Sequence, residues 1–256
     1  MINIFYSDEY LNHDTGSHPE SILRIETIKL SKPNGGYHFG GSFSCVEILI
    51  QLYDKILTKN DIFIMSKGHG CWPFYVLLRE RNLKPILEGH PKYDKKNGVY
   101  STTGSLGHGL PTAAGIAFSK KFKKEKGKVF VLISDGECQE GTTWEVLNLA
   151  RHHKLDNLVV ILDLNGIQGS GFTNKILEVK NFEKICKNVG WDTKRIDGHN
   201  NKQILKNLTV NKKKPYIVIA KTIKGKGVSF MENKPKWHAN WLDDDHEKIA
   251  MEELKR

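Results

Sequence analysis

Two oxygen-bearing side chains, Asp135 and Asn165, stand 30 positions apart, each just after a short apolar run and each followed by glycine. A carboxylate and an amide oxygen are hard donors of the kind that Mg2+ or Ca2+ requires. Mg2+ keeps near-octahedral geometry and takes few protein ligands, so phosphates of a bound molecule must supply others. Gly136 lets the backbone approach a phosphate closely, and Gly166 frees the turn after Asn165 to present the carbonyl of Ile167. Taken singly, Asp135 reads as a helix cap and Asn165 as a turn residue. Their shared setting favours the metal.

That setting is residues 129–171, a strand, a turn, a helix, a strand and a second turn. In a right-handed βαβ unit the ends of both strands lie at one edge of the sheet, so Asp135 and Asn165 converge there. The runs Lys128–Ser134, Asn157–Asp163, Trp191–Ile196 and Pro215–Ala220 read as buried strands. Val46, Leu49, Ile50 and Tyr53 have the spacing of a helix with one buried face, as do Phe182, Ile185, Cys186 and Val189. Phe74, Leu77 and Leu78 predict a helix entered at Pro73, and the small residues Ala113, Ala114, Gly115 and Ala117 predict one packed closely. The alternation predicts an α/β fold, a mostly parallel central sheet with helices on both faces and ligands at the strand ends.

With 256 residues, 39% of them hydrophobic and 27% charged, the chain suits one large soluble domain. Its longest apolar runs, Val129–Ile133 and Leu158–Leu162, are far too short to span a membrane. The opening MINIFYSDEY has no signal-peptide pattern, so the cytoplasm is expected. Cys45, Cys71, Cys138 and Cys186 are widely separated, which argues against disulfides or a zinc knuckle. The net charge of +10 comes largely from lysines, clustered at Lys120–Lys128 and Lys212–Lys214. No basic stripe interleaved with aromatics accompanies them, so a solvated surface is expected and a nucleic-acid partner is not.

Asp135-Gly136 with Asn165 resembles the thiamine-diphosphate motif, and DGECQEGTTWE (135–145) resembles its transketolase form. The resemblance implies the thiamine-diphosphate-binding fold, in its diphosphate-binding domain. It implies thiamine diphosphate and Mg2+, with Ca2+ or Mn2+ as substitutes, the metal held by Asp135, Asn165 and the Ile167 carbonyl. It places Gly136 at the diphosphate and Glu140, grouped with the catalytic residues, near a subunit contact. Ser134 replaces the usual first glycine of the motif.

Further segments carry the same resemblance: GGYHFGGSFSCVEILIQLYD (35–54), SKGHG (66–70), GHPKYD (89–94), STTGSLGHGL (101–110) and TIKGKGVSFMENKPKWHA (222–239). By it, His38, His90 and His238 face the substrate, while His69, Gly104 and Leu106 lie against the cofactor. Imidazoles around a sugar can bond its hydroxyls and carbonyl and move protons near neutral pH. His13, His152, His153 and His246 read as ordinary structural or surface residues.

There are departures. His108 stands where the family usually has glutamine, and Asn240-Trp241-Leu242 replaces a continuation of small residues and proline. HDTGSHPE (13–20) does not resemble a transketolase start; it is faintly similar to a motif of histone-deacetylase-like hydrolases, but no zinc-ligand set follows. Residues 1–19 are therefore set apart from a diphosphate-binding domain at 20–256.

The resemblance covers residues 20–256, whereas full-length relatives continue into a pyrimidine-binding domain that supplies the activating glutamate. It implies a split enzyme, most simply α2β2, in which a second subunit carries that domain. The implied reaction is transfer of a two-carbon ketol unit from a ketose to an aldose, on sugars or sugar phosphates. A deoxyxylulose-phosphate-synthase-like enzyme would share the metal motif, and a regulatory subunit would share the fold. WEVLNLARHHKLDNL (144–158) and KGKGVSFMEN (224–233) favour transketolase over the first, and the retained histidines argue against the second.

Overall fold

Four apolar segments and one polar segment assemble into one parallel sheet in the computed structural model, which describes residues 19–256. Its strands are β1 (Ile62–Met65), β2 (Val129–Ser134), β3 (Leu158–Leu164), β6 (Asp192–Asp197) and β7 (Tyr216–Lys221), in the order β1-β2-β3-β7-β6. A small hairpin of β4 (Ile167–Gln168) and β5 (Gly171–Phe172) follows β3. The four expected strands are present, each displaced by about one residue. β1 is an addition, an IFIM segment too short for its pattern to stand out.

Successive residues of β1, β2, β3 and β7 enter opposite cores, as the two-residue period requires. Met65, Leu132, Ile161 and Val218 belong to one buried cluster; Ile64, Val131, Val160 and Ile217 belong to the other. The first is covered by α1 (Pro19–Ser31), α3 (Val46–Gln51), α4 (Trp72–Glu80) and α9 (Asn201–Leu208). The second is covered by α5 (Gly109–Phe122), α6 (Gly141–His152) and α8 (Phe182–Val189). Helices on both faces explain why β1, β2, β3 and β7 are apolar almost throughout rather than alternating with polar residues. β6, expected to be buried, is instead a polar strand at the sheet's edge with only Ile196 buried.

A third cluster joins α1, the short α2 (Phe39–Phe43), Trp237 and α10 (Asp244–Leu254). Its buried Phe39 and Trp237 neighbour His38 and His238 in sequence, so packing of the outer layer sets where those imidazoles stand. The remaining helix, α7 (Thr173–Ile176), lies in the loop after β5. Residues 1–18 of the separate N-terminal segment lie outside the described residues, and the domain's first helix starts at Pro19. Four cysteines are free and buried. Lys120, in the first lysine cluster, is buried with its ammonium on the Asn60 carbonyl at 3.0 Å, while Lys123, Lys124 and Lys126 are exposed. No helix among the described residues is long and apolar enough to cross a membrane.

Candidate active site

Parallel register brings Ser134 opposite Asp163 and Asp163 opposite Ala220, so β2, β3 and β7 end together. Asp135 follows β2. Its Oδ1 accepts the Gly136 N–H at 3.0 Å, and its Oδ2 accepts the Gly166 N–H at 2.6 Å across from the end of β3. Burial, and after it the nearby Asp163 charge, push the Asp135 carboxyl up to about 6. Asn165 Oδ1 accepts the Ile167 N–H at 3.1 Å, and the Ile167 carbonyl accepts from Lys224 Nζ at 3.1 Å. The three residues expected to hold the metal thus lie together at the end of the sheet.

A buried ion pair lies directly behind them. Lys67 and Asp163 have fully buried side chains and pair directly. Asp163 also accepts from Ser44 Oγ at 2.6 Å, from Thr222 Oγ1, and from Asn165 Nδ2 at 3.2 Å. Lys67 Nζ further donates to the Gly41 carbonyl at 2.7 Å and Ser44 Oγ at 3.2 Å. Desolvation works against both charges. Their mutual attraction and these hydrogen bonds outweigh it, holding Asp163 below the ordinary carboxylate range and Lys67 above the usual ammonium range. The consequence for the site is orientation: with its amide nitrogen on Asp163, Asn165 turns its oxygen away from that carboxylate.

Glu137 has a comparable role. It is fully buried and accepts from Ser66 Oγ, from Ser134 N–H at 2.8 Å and Ser134 Oγ at 3.2 Å, and from Gly107 N–H at 3.3 Å. Those bonds fasten the 101–110 loop to the turn after Asp135. A Cβ placed on Gly136 would meet Leu106 Cδ2 at 3.5 Å, so these two expected cofactor contacts are neighbours.

The four histidines singled out by sequence converge. The His38 ring lies 5.7 Å from His69, 5.6 Å from His90 and 5.6 Å from His238, and His69 lies 4.8 Å from His238. Two glycines make room. A Cβ on Gly41 would fall 2.6 Å from His69 Cδ2, and Gly104, at φ +140°, faces the His90 ring, where a Cβ would fall 3.1 Å from Cδ2.

Burial, joined by neighbouring positive charge, depresses all four rings: His38 to about 4, His238 to about 3, His69 well below its ordinary value and His90 below its own. They are neutral at pH 7. Lys224, itself lowered to about 8 by burial and then by the Lys67 charge, meets His238 Nδ1 at 3.0 Å. An ammonium can only donate, so the neutral His238 ring carries its proton on Nε2. His38 Nδ1 is buried without a hydrogen-bond partner among the described residues.

Glu140 is set apart from this group. It is exposed at the start of α6, where its Cβ would lie 2.7 Å from a Cβ on Gly107. His108 is also exposed, at the start of α5. A cavity of about 790 Å3 is lined by residues that include Asp135, Asn165, Phe172, Val179 and Phe182, and by none of the four histidines. Among the described residues no cluster of three or more His, Cys, Asp or Glu side chains is arranged for a metal. The oxygen set explains this, because only one of its three donors is such a side chain.

Sequence reasoning passed over Lys67, Asp163, Lys224 and Glu137. The signal available was their setting: each lies inside or beside a segment already singled out, and each has a charge amid small or apolar residues.

Comparison with known proteins extends this picture. The family profile described as "Transketolase, thiamine diphosphate binding domain" matches residues 21–255. The chain is 38% identical over 255 residues to an apulose-4-phosphate transketolase subunit of Actinobacillus succinogenes, covering 91% of this chain and 92% of that protein. It is 31% identical over 263 residues to the 6-deoxy-6-sulfo-D-fructose transketolase subunit SqwG of a Clostridium species, covering 93% and 96%. The crystal structure of transketolase from Campylobacter jejuni superposes with a TM-score of 0.78 at 27% identity, over 92% of this chain and 41% of that one.

Proposed function

The chain belongs to the transketolase family, in its thiamine-diphosphate-binding domain, and from that premise we propose that it is the diphosphate- and magnesium-binding subunit of a split transketolase. It transfers a two-carbon ketol unit from a ketose to an aldose, together with a second subunit that carries the pyrimidine-binding domain, most simply as α2β2. The observation that carries this reading is one juxtaposition: the oxygens of Asp135, Asn165 and Ile167 stand at the same sheet edge as four neutral imidazoles. The Actinobacillus and Clostridium relatives, matched over nearly their whole length, are each named as one subunit of a transketolase, which supports the division between two chains.

The residues fit the implied group. Asp135 is a buried carboxylate raised to about 6, a state that a bound cation would relieve. The donors are all oxygens, suited to Mg2+. Asp135, Asn165 and the Ile167 carbonyl would hold the metal, with Gly136, His69, Gly104 and Leu106 against the diphosphate. Bound thiamine diphosphate supplies a carbon nucleophile and a sink for the resulting electron pair.

The rest belongs to this chain. His238 holds a proton on Nε2, available to donate to a sugar oxygen. His38 offers an unpartnered Nδ1, and His90 flanks both the pocket and the Gly104 turn. Neutral rings can donate at one nitrogen and accept at the other, which suits hydroxyls and a carbonyl. Leu106, Phe172 and Leu177 are large exposed apolar side chains, surface for a partner to cover and dry. Glu140, exposed beside Gly107, is placed to meet that partner.

The test is reconstitution. The chain alone, with Mg2+ and thiamine diphosphate in excess, is expected to give little or no ketol transfer, and adding the pyrimidine-domain subunit is expected to restore it. Robust turnover by the chain alone, free of any co-purifying protein, sinks the split-enzyme reading.

A further inference from the structure

Tyr37 and Trp241 take no part in the roles above, yet they continue the histidine group outward. The Tyr37 ring lies 4.2 Å from His38 at a tilt of 35°, and the Trp241 ring lies 5.1 Å from Tyr37 at 40°. Rings therefore follow one another without a break from His238 and His69, through His38, to the surface. Trp241 is 63% exposed, whereas Trp72, Trp191 and Trp237 are at most 3% exposed. Its position is held on both sides: the Asn240 N–H donates to the Tyr37 carbonyl at 3.0 Å, and Leu242 is buried in the third cluster. An indole fixed in water beside a polar pocket leaves a large apolar face unused.

We propose that Tyr37 and Trp241 form an aromatic shelf that stacks against the C–H face of the sugar as it enters the histidine pocket, and so helps to select the aldose acceptor. This rests on the ketol-transfer reading above. A sugar chain has hydroxyls on some faces and weakly positive C–H groups on others, and an aromatic ring has a negative face that matches the latter. The imidazoles bond the hydroxyls while the shelf holds the carbon chain. Among the described residues the cation–π contacts lie elsewhere, at Arg81 over Tyr53 and Lys212 over Tyr216. Neither shelf ring carries a charge, so the shelf recognises shape and C–H groups rather than a phosphate. Continuity with His38 makes the sugar its occupant.

The experiment uses the chain assembled with its pyrimidine-domain partner and compares wild type, Trp241→Ala, Trp241→Phe and Tyr37→Leu. Aldose acceptors of different chain length are assayed in free and phosphorylated form. Trp241→Ala is expected to raise acceptor KM by roughly 3–10-fold, the scale of one aromatic stacking contact. Turnover at saturation and cofactor affinity stay within about twofold, and Trp241→Phe recovers most of the loss. The fold-change is equal for each free sugar and its phosphate. Unchanged KM for every acceptor overturns the shelf, as does a loss confined to phosphorylated sugars. Weaker association of the two chains with unchanged KM reassigns the rings to the partner contact and also overturns it.

A second arm does not depend on turnover. Acrylamide quenching of the wild-type emission, less that of Trp241→Phe, isolates Trp241, and added aldose is expected to shield it. If the wild-type assembly shows no ketol transfer, the proposed function falls, while shielding or its absence still decides the shelf.

Discussion

The metal edge and the histidine pocket share Lys224 but are built on opposite electrostatics. At the metal edge Asp135, and behind it Asp163 and Lys67, are charged, buried and held by fixed hydrogen bonds. In the pocket, four imidazoles are kept neutral by burial and by neighbouring positive charge. An ion is held by fixed charge, whereas groups that bond hydroxyls and exchange protons work best uncharged. Lys224 is the boundary: its ammonium bonds the Ile167 carbonyl on one side and His238 on the other.

The largest test of this contrast removes one charge from the metal edge. Lys67→Met leaves Asp163 buried without its cation and is expected to destabilise the fold by about 3–5 kcal/mol. Urea unfolding of the metal-free chain measures it. Adding Asp163→Asn removes the stranded charge and should recover a large part of the loss. A single-mutant cost below about 1 kcal/mol, where exposed pairs fall, would mean that the pair is not structural.

Asp135 separates binding from stability. Asp135→Ala is expected to weaken joint binding of Mg2+ and thiamine diphosphate by more than about 2 kcal/mol, the scale of a lost charge-assisted contact. Calorimetry in the presence of the partner reads it. Asp135→Asn tests the metal-free fold through its pH dependence. The carboxyl titrates near 6 in the fold against 3.8 in the unfolded chain, so the folded state holds the proton more tightly. The resulting penalty is complete above pH 6 and is relieved as pH falls through 6 towards 4. Relative to wild type, metal-free Asp135→Asn should therefore gain about 1–3 kcal/mol between pH 4 and pH 7, on top of a pH-independent cost of about 1–3 kcal/mol for the backbone N–H that faces the new amide NH2. Unchanged cofactor affinity in Asp135→Ala would refute the metal site.

What sequence made legible follows the same division. The sheet edge was readable because Asp135 and Asn165 end two apolar runs joined by a helix, and strand periodicity fixes where such residues emerge. The histidines were readable because glycines flank them within longer family matches. Lys67 and Asp163 were not, since the partners are 96 positions apart and a buried lysine has the same letter as a solvated one. The charge of Glu137 inside DGECQEG gave no sign that its four donors come from residues 66, 107 and 134. Long-range satisfaction of a buried charge is set by tertiary packing, which no local pattern records.

On the pocket side, the loss per residue should be smaller than for a charge. His38→Ala or His90→Ala removes a neutral hydrogen bond of about 1–1.5 kcal/mol, so turnover is expected to fall about tenfold. Cofactor affinity should stay within about twofold, since no charge at the metal edge is touched. His69→Ala is expected to disturb both, because its ring packs on Gly41, whose carbonyl bonds Lys67. Equal loss of cofactor affinity in all three variants would erase the division between the two regions.

The smallest expected effect is the absence of one. His38 and His238 titrate near 4 and 3 in the fold, against an ordinary value of about 6.5 in the unfolded chain. Above about pH 6.5 both states are neutral, and these rings contribute no slope to stability or to turnover. As pH falls from 6.5 towards 4 the unfolded chain takes up protons that the fold refuses, so each ring costs stability at up to about 1.4 kcal/mol per pH unit. That sign is opposite to the one for Asp135, which gains over part of the same range. The direct measurement is NMR of imidazole carbon-bound protons in the assembled enzyme, with His38→Gln and His238→Gln used for assignment. The two resonances should hold still between pH 6 and 8, and changes in kcat/KM over that range should survive in both variants. A midpoint between 6 and 7 for either ring would show an imidazolium forming in the pocket at working pH. The pocket would then be charged like the metal edge, and the contrast between them would be lost.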